Sequence, residues 1–259
     1  MKLKIYQIDA FANRAFEGNP AAVVPLESWL EDEILQRMAN ENNLSETAYI
    51  VPNDKGYDIR WFTPTDEVDM CGHATLASAY VLFSEPGCKE ETIIFDSKSG
   101  ELIVQKEGEF LSMDFPAQNI ERSDEVDIFE KVFAARPLEA FKSMDHIVVF
   151  EDESALNSLK PDFELMKTLG LRGVIVTAKS KEYDFVCRFF APKIGVNEDP
   201  VTGSAYTQLV TYWSNVSNKT EFSSKQLSAR GGEVFCELKG DRCIIKGKAV
   251  KYLEGVIDI

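Results

Sequence analysis

The chain has 259 residues, 44% hydrophobic and 27% charged, with a net charge of −15 and an isoelectric point near 4.7. This is the composition of a globular protein able to bury on the order of 70–75% of its unfolded surface without a metal or disulfide staple. Its acidity opposes phosphate backbones, no run approaches the roughly 18 apolar residues of a bilayer span, and there is no P-loop or GxGxxG. Nucleic-acid binding, membrane insertion and phosphate-cradling nucleotide chemistry therefore fall away.

In chain order, residues 5–10 alternate as a strand, Phe16 to Pro20 form a turn, and residues 21–25 resume as a second strand. Ser28-Trp-Leu-Glu31 reads as a capping box opening a helix whose apolar face carries Leu30, Ile34, Leu35 and Met38. Strands are expected at 46–51 and 57–63, a helix from Gly72 to Phe83, and strands near 92–96, 102–106 and 111–115. Residues 116–140, polar and charged with Pro116 and Pro137 near the ends, read as a connection to a second unit. That unit repeats the grammar, with strands at 146–150, 172–177 and 183–190, a helix around 161–168, a helix from Ser204 to about 215, and closing strands from 226 to 258 with a hairpin turn at Gly240-Asp241.

The N-terminus runs straight into a strand pattern, without the apolar stretch or cleavage site of a signal peptide. The five cysteines, at 71, 88, 187, 236 and 243, are odd in number and form no CxxC pair, which implies reduced thiols and a cytoplasmic setting. With His73 and His146 the only imidazoles, no metal site of the usual Cys/His spacing is expected. The strongest basic cluster, Lys246-Gly-Lys248-Ala-Val-Lys251, fits a solvated strand face.

An internal repeat organises the chain. Arg60-Trp-Phe62-Thr-Pro64 matches Arg188-Phe-Phe190-Ala-Pro192 at an offset of 128. Each is followed by a Gly-led helix start, Gly72-His73-Ala74 and Gly203-Ser204-Ala205. Two related halves placed face to face make a cleft, where small-ligand sites are common. A helix N-terminus exposes unpaired N–H groups and positive dipole, and Gly there admits close approach, so two such ends suit a carboxylate. The same residues also serve structure: Gly72 and Gly203 as tight turns, Asp199 and Ser204 as helix caps, Glu46 as a solvated edge charge, Cys71 as a small buried residue. Functionally, His73 and Ser204 would face the ligand, and Glu46, if buried, would have its pKa raised towards neutrality and become a proton shuttle. Cys71 at a helix start could be an activated thiolate.

At these residues the chain resembles the phenazine-biosynthesis PhzF family of the diaminopimelate epimerase-like superfamily. The resemblance rests on Ile8-Asp-Ala-Phe-Ala-Asn-Arg-Ala-Phe-Glu-Gly-Asn-Pro-Ala-Ala-Val23, Asn43-Leu-Ser-Glu-Thr-Ala-Tyr49, Arg60-Trp-Phe-Thr-Pro64, Met70-Cys-Gly-His-Ala-Thr75, Glu198-Asp-Pro-Val-Thr-Gly-Ser-Ala205 and Ser228-Ala-Arg-Gly-Gly232. It implies an α+β fold of two pseudosymmetric lobes, each a curved mixed β-sheet wrapped around a central helix. The lobes are expected at 1–117 and 118–259, with the last strand, about 250–259, packing back on the first.

The resemblance further implies a cofactor-independent isomerase of a small carboxylate, similar to trans-2,3-dihydro-3-hydroxyanthranilate isomerase, and a homodimer. Glu46 would be the proton carrier, with His73, Asp199 and Ser204 orienting substrate and assisting transfer; Gly72, Gly203 and Asn19 would bind it. The superfamily's epimerases and racemases oppose two cysteines, one at each helix start. Here Cys71 has no counterpart in Pro200-Val-Thr-Gly203, which favours Glu46 as a single base. An epimerase using Cys71 and a non-catalytic small-acid binding protein are the alternatives.

Overall fold

Alternating apolar and polar side chains make Lys2–Ala10 a strand, β1, that turns Tyr6 and Ile8 inwards. The computed structural model, which describes residues 1–259, sets β1 antiparallel to β2 (Asn19–Pro25). The turn between them depends on Gly18, whose φ is +68° and whose added Cβ would lie 2.1 Å from the Ala10 carbonyl oxygen. Gly18→Ala is expected to cost more than about 1 kcal/mol, seen as a lower urea midpoint at unchanged m-value.

Helix α1 (Asp32–Asn42) leads into β3 (Glu46–Pro52), which lies parallel to β2 with Glu46 opposite Ala21. The structure corrects the capping-box reading here. Glu31 occupies the N-cap with extended backbone and no side-chain cap, and Asp32 and Glu33 instead put negative charge on the first turn. β4 (Tyr57–Phe62) pairs antiparallel with β3, and β5 (Glu67–Val68) folds back on β4. From β5 the chain enters α2 (Gly72–Phe83), and then β6 (Thr92–Ser97), β7 (Gly100–Glu107) and β8 (Phe110–Pro116) follow as a meander. Helix α2 is buried almost all round and packs against β1, β2, β3 and β7. Its Ala and Ser residues leave the narrow profile that a helix enclosed by strands requires.

Residues 116–140 carry more structure than their charge suggests. They hold β9 (Glu121–Ser123), α3 (Val126–Phe133) and β10 (Glu139–Lys142). Phe129, Val132 and Phe133 are buried in a core cluster with Val148, Phe150, Val176 and Phe190. The apolar positions of α3 recur at three and four residues, and its charges take the outer face.

β11 (His146–Asp152) follows, then α4 (Glu153–Ser158) and α5 (Phe163–Lys167), each capped by an aspartate, Asp152 and Asp162. α5 falls within the helix expected around 161–168, and α4 is an additional short helix before it. β12 (Val174–Lys179) runs parallel to β11, and β13 (Phe185–Ala191) antiparallel to β12. After a 3-10 turn at 192–194, β14 (Val196–Asp199) pairs back on β13 and delivers the chain to α6 (Gly203–Ser217). β15 (Glu221–Gln226) lies parallel to β13, and β16 (Gly232–Lys239) antiparallel to β15. Gly240, at φ +62°, turns towards β17 (Arg242–Gly247). Helix α6 is the buried helix of this sheet. Trp213 stacks on Phe185 at 5.3 Å and donates from Nε1 to Thr177 Oγ1 at 3.1 Å.

The last strand, β18 (Ala249–Asp258), pairs antiparallel with β1 along its length. Contacts accordingly divide the chain into one unit of Met1–Asp114 with Lys246–Ile259 and another of Phe115–Ile245.

The repeated motif has the same local geometry in both units. Arg60 grips Glu67 with Nε and Nη2, both at 2.8 Å, over the Phe62 ring; Arg188 grips Glu198 at 2.7 and 3.1 Å over Phe190. Each fork ties a central strand to the short return strand that leads into α2 or α6. Hydrogen bonds from Arg60, opposed by burial and joined by Lys98, hold the Glu67 carboxyl down to about 2.

Candidate active site

In the first unit the register of β2 with β3 places Glu46 at the entrance of a buried strand, while β5 leads Cys71, Gly72 and His73 to the start of α2. Cys71 is the N-cap residue, and its carbonyl accepts from Thr75 N at 3.1 Å and Thr75 Oγ1 at 2.6 Å. These bonds fix the first turn and aim His73 at Glu46. His73 Nε2 lies 3.1 Å from Glu46 Oε2, and His73 Nδ1 lies 3.5 Å from Cys71 Sγ. The imidazole–carboxylate contact is an ion-pair approach without hydrogen-bond alignment, and neither atom has another aligned partner. Asn19, fully buried at the start of β2, joins the group through Ser45, whose hydroxyl donates to Asn19 Oδ1 at 3.2 Å.

The electrostatics invert one expectation. Burial pushes the Glu46 carboxyl up, but the charge of the imidazole 3.1 Å away, with support from Cys71, outweighs it and holds the group below its usual value of 4.5. Burial likewise opposes charge on His73, yet the Cys71 sulfur and the Glu46 carboxylate lift the imidazole well above 6.5. Near neutral pH the pair is therefore carboxylate and imidazolium, a base and an acid in contact. The same forces favour the thiol of Cys71 over the thiolate. Burial and the Glu46 charge raise its thiol, overriding His73 and the helix start.

Glu46, Cys71 and His73 are also the group able to hold a metal, since one donor atom from each lies within 4.8 Å of the others. A divalent ion there would have to displace a proton from Cys71 and another from His73.

In the second unit β14 ends at Asp199 and the N-cap of α6 falls to Thr202. The Thr202 hydroxyl donates to Asp199 Oδ2 and holds no helix N–H. Gln226, fully buried at the end of β15, braces the loop: its Oε1 accepts from Thr202 N at 2.9 Å and its Nε2 donates to the Asp199 carbonyl at 2.8 Å. Ser228 Oγ donates to the Pro200 carbonyl at 2.8 Å and accepts from Gly231 N at 3.0 Å, which gives the Ser228–Gly232 motif its role as a prop. Gly203 opens the helix, and the Ser204 hydroxyl accepts from Arg172 Nη2 at 3.0 Å.

Each predicted site residue thus lies at a strand end or helix start, grouped within its own unit: Asn19, Glu46, Gly72 and His73 in the first, Asp199, Gly203 and Ser204 in the second. Thr202, Gln226 and Arg172, which support the second group, were not anticipated. Thr202 and Gln226 stand in or near recognised motifs; Arg172 stands in none.

The family model for phenazine biosynthesis-like proteins matches residues 8–255. An uncharacterised isomerase of Pseudomonas aeruginosa is 49% identical over 259 residues, covering all of both chains. A PhzF-family phenazine biosynthesis protein of Enterococcus faecalis superposes with a TM-score of 0.98 at 45% identity, again over all of both chains. A predicted epimerase of Pseudomonas aeruginosa superposes at 0.79 with 19% identity, over 98% of this chain and 99% of the other, a likeness of fold alone.

Proposed function

The chain belongs to the phenazine biosynthesis-like (PhzF) family of isomerases, and from that premise we propose that it shifts a proton within a small carboxylate by single-base chemistry, without a cofactor. The observation that carries the reading is the 3.1 Å contact between a carboxylate held low and an imidazole held high. Glu46 takes a proton from a carbon next to the substrate's unsaturated system, and the electron pair left behind shifts the double bond. The same carboxyl then returns the proton to the far carbon, so the substrate is isomerised and the enzyme restored. His73 assists as the acid partner. Asp199 and Ser204 orient the substrate, Asn19 contacts it, and the Gly72 and Gly203 amides receive its carboxylate, as the family resemblance implies. The leading test compound is trans-2,3-dihydro-3-hydroxyanthranilate.

The test is proton-exchange NMR in D₂O over a panel of small amino and hydroxy acids that includes this compound. Deuterium entering a carbon position that gains a hydrogen supports the shift. Deuterium entering with loss of configuration at one carbon supports an epimerase. Cys71→Ala separates the two further: a thiol whose role is confined to supporting Glu46 and His73 implies that the variant keeps activity within about tenfold. Loss of all turnover there would transfer the base role to sulfur.

We also propose a homodimeric, cytoplasmic enzyme, with sedimentation as the check on assembly. All five cysteines are free, in keeping with a reducing compartment, and no helix is long and apolar enough to cross a membrane.

A further inference from the structure

The parallel pairing of β11 with β12 sets His146 opposite Val174, which brings Asp145, one residue before β11, near Arg172, two residues before β12. Gly173, between Arg172 and β12, lets the start of that strand lie close against β13. A Cβ there would lie 2.8 Å from the Phe190 carbonyl oxygen and 2.7 Å from the Phe189 ring, while its own carbonyl accepts from His146 N at 3.0 Å. Asp145 is a carboxylate with no exposed surface. It accepts from Arg172 Nε at 3.0 Å and Nη2 at 2.7 Å, and from Gln208 Nε2 at 2.9 Å, while its own N–H donates to Gln208 Oε1 at 3.0 Å. Gln208 lies one turn along α6 from Ser204, so the clamp is built into that helix. The guanidinium is further held over Phe189, 5.4 Å from the ring centroid.

Arg172 is not spent on Asp145. Its Nη2 also donates to Ser204 Oγ at 3.0 Å, and about a third of its side chain is exposed. A guanidinium only donates, so the Ser204 oxygen must accept from it, and the Ser204 proton is left to point at whatever lies beyond. Donor hydroxyl, guanidinium and helix start then present one sign of charge at one place.

We propose that Arg172 is a positioning residue: held by the buried Asp145–Gln208 clamp, it turns Ser204 into a hydrogen-bond donor and makes the start of α6 selective for an oxyanion, the substrate's carboxylate. The assignment of a carboxylate rests on the function proposed above; the orientation of Ser204 does not.

Two measurements separate those parts. In a Cys88→Ser background, which removes the exposed thiol, Ser204→Cys places a thiol where Arg172 points. The pH midpoint of its alkylation by iodoacetamide is expected below the free-cysteine value of about 8.5. Arg172→Gln in that background should raise the midpoint by about one pH unit, and Arg172→Lys should restore part of it. Asp145→Asn is combined with Arg172→Gln in a parallel variant, so that no unpaired buried charge remains if the single variant folds poorly. A midpoint that Arg172→Gln leaves in place in folded protein overturns the proposal.

The second measurement is calorimetric binding of anthranilate against its neutral isostere anthranilamide. The wild-type preference for the acid is expected to fall about tenfold in Arg172→Gln and in Ser204→Ala, with no further fall in the double variant, the mark of one residue acting through another. Independent, additive losses overturn the proposal. A thiol shift as expected, with neither compound bound, upholds Arg172 and overturns an anthranilate-like carboxylate as the substrate class.

Discussion

Replacing Glu46 by Gln is expected to lower solvent-hydrogen exchange into trans-2,3-dihydro-3-hydroxyanthranilate by roughly 10²–10⁴-fold, the range lost with a general base. Gln has nearly the volume of Glu, so the position at the start of β3 is filled and the ladder to β2 is kept. Removing one member of a buried ion pair is often costly because the other charge is stranded. His73 limits that cost. Without the carboxylate, burial opposes charge on its imidazole with only Cys71 left to support it, so the imidazole sheds its proton more readily and strands less charge. The stability loss is accordingly expected near 1 kcal/mol, the scale of one polar contact. Exchange rates and urea midpoints on the same preparation check both halves. Full activity in a folded Glu46→Gln protein would remove Glu46 from the reaction altogether.

What was legible in the sequence is what short-range pattern can carry. Helix α2 runs from Gly72 to Phe83 as its Gly-led start and the Pro86-Gly87 stop indicate, and the Arg-x-Phe repeat announces two units with the same Arg–Glu fork. Helix α3 was missed because the charges of Asp124, Glu125, Asp127, Glu130 and Lys131 mask the apolar spacing of Val126, Phe129, Val132 and Phe133. The site followed the same division. Residue types beside glycine-led helix starts could be picked out, but protonation states could not. The sign of the Glu46 shift is decided by an imidazole distant in sequence and 3.1 Å away in space. Desolvation, the part that can be guessed from a buried strand, points the wrong way. Arg172 and Asp145 meet only through the register of two parallel strands, which no local pattern reveals.

The second large effect belongs to His73. His73→Gln is expected to lower turnover about 10²-fold near neutral pH and to reshape the pH profile in a direction fixed by the coupling. In the wild type Glu46 stays ionised below pH 4.5, so the acid limb lies under that value, and the basic limb lies well above 6.5, where the imidazolium is finally lost. In the variant the carboxylate keeps its burial but loses the charge beside it. Its pKa then moves upwards past 4.5, the acid limb follows, and the basic limb due to His73 disappears. Stability obeys the same signs. A carboxyl whose pKa is lowered on folding stabilises the protein above 4.5 and loses that contribution as pH falls through its folded value. An imidazole whose pKa is raised contributes fully below 6.5 and loses that contribution as pH rises through its folded value. The two overlap fully between pH 4.5 and 6.5, so the urea midpoint of the wild type should exceed that of His73→Gln most clearly in that window, with the gap narrowing on both sides. A gap independent of pH would mean that the two groups do not share charge in the folded protein. In that case the acid–base pair at the start of α2 would have to be replaced by Glu46 acting alone.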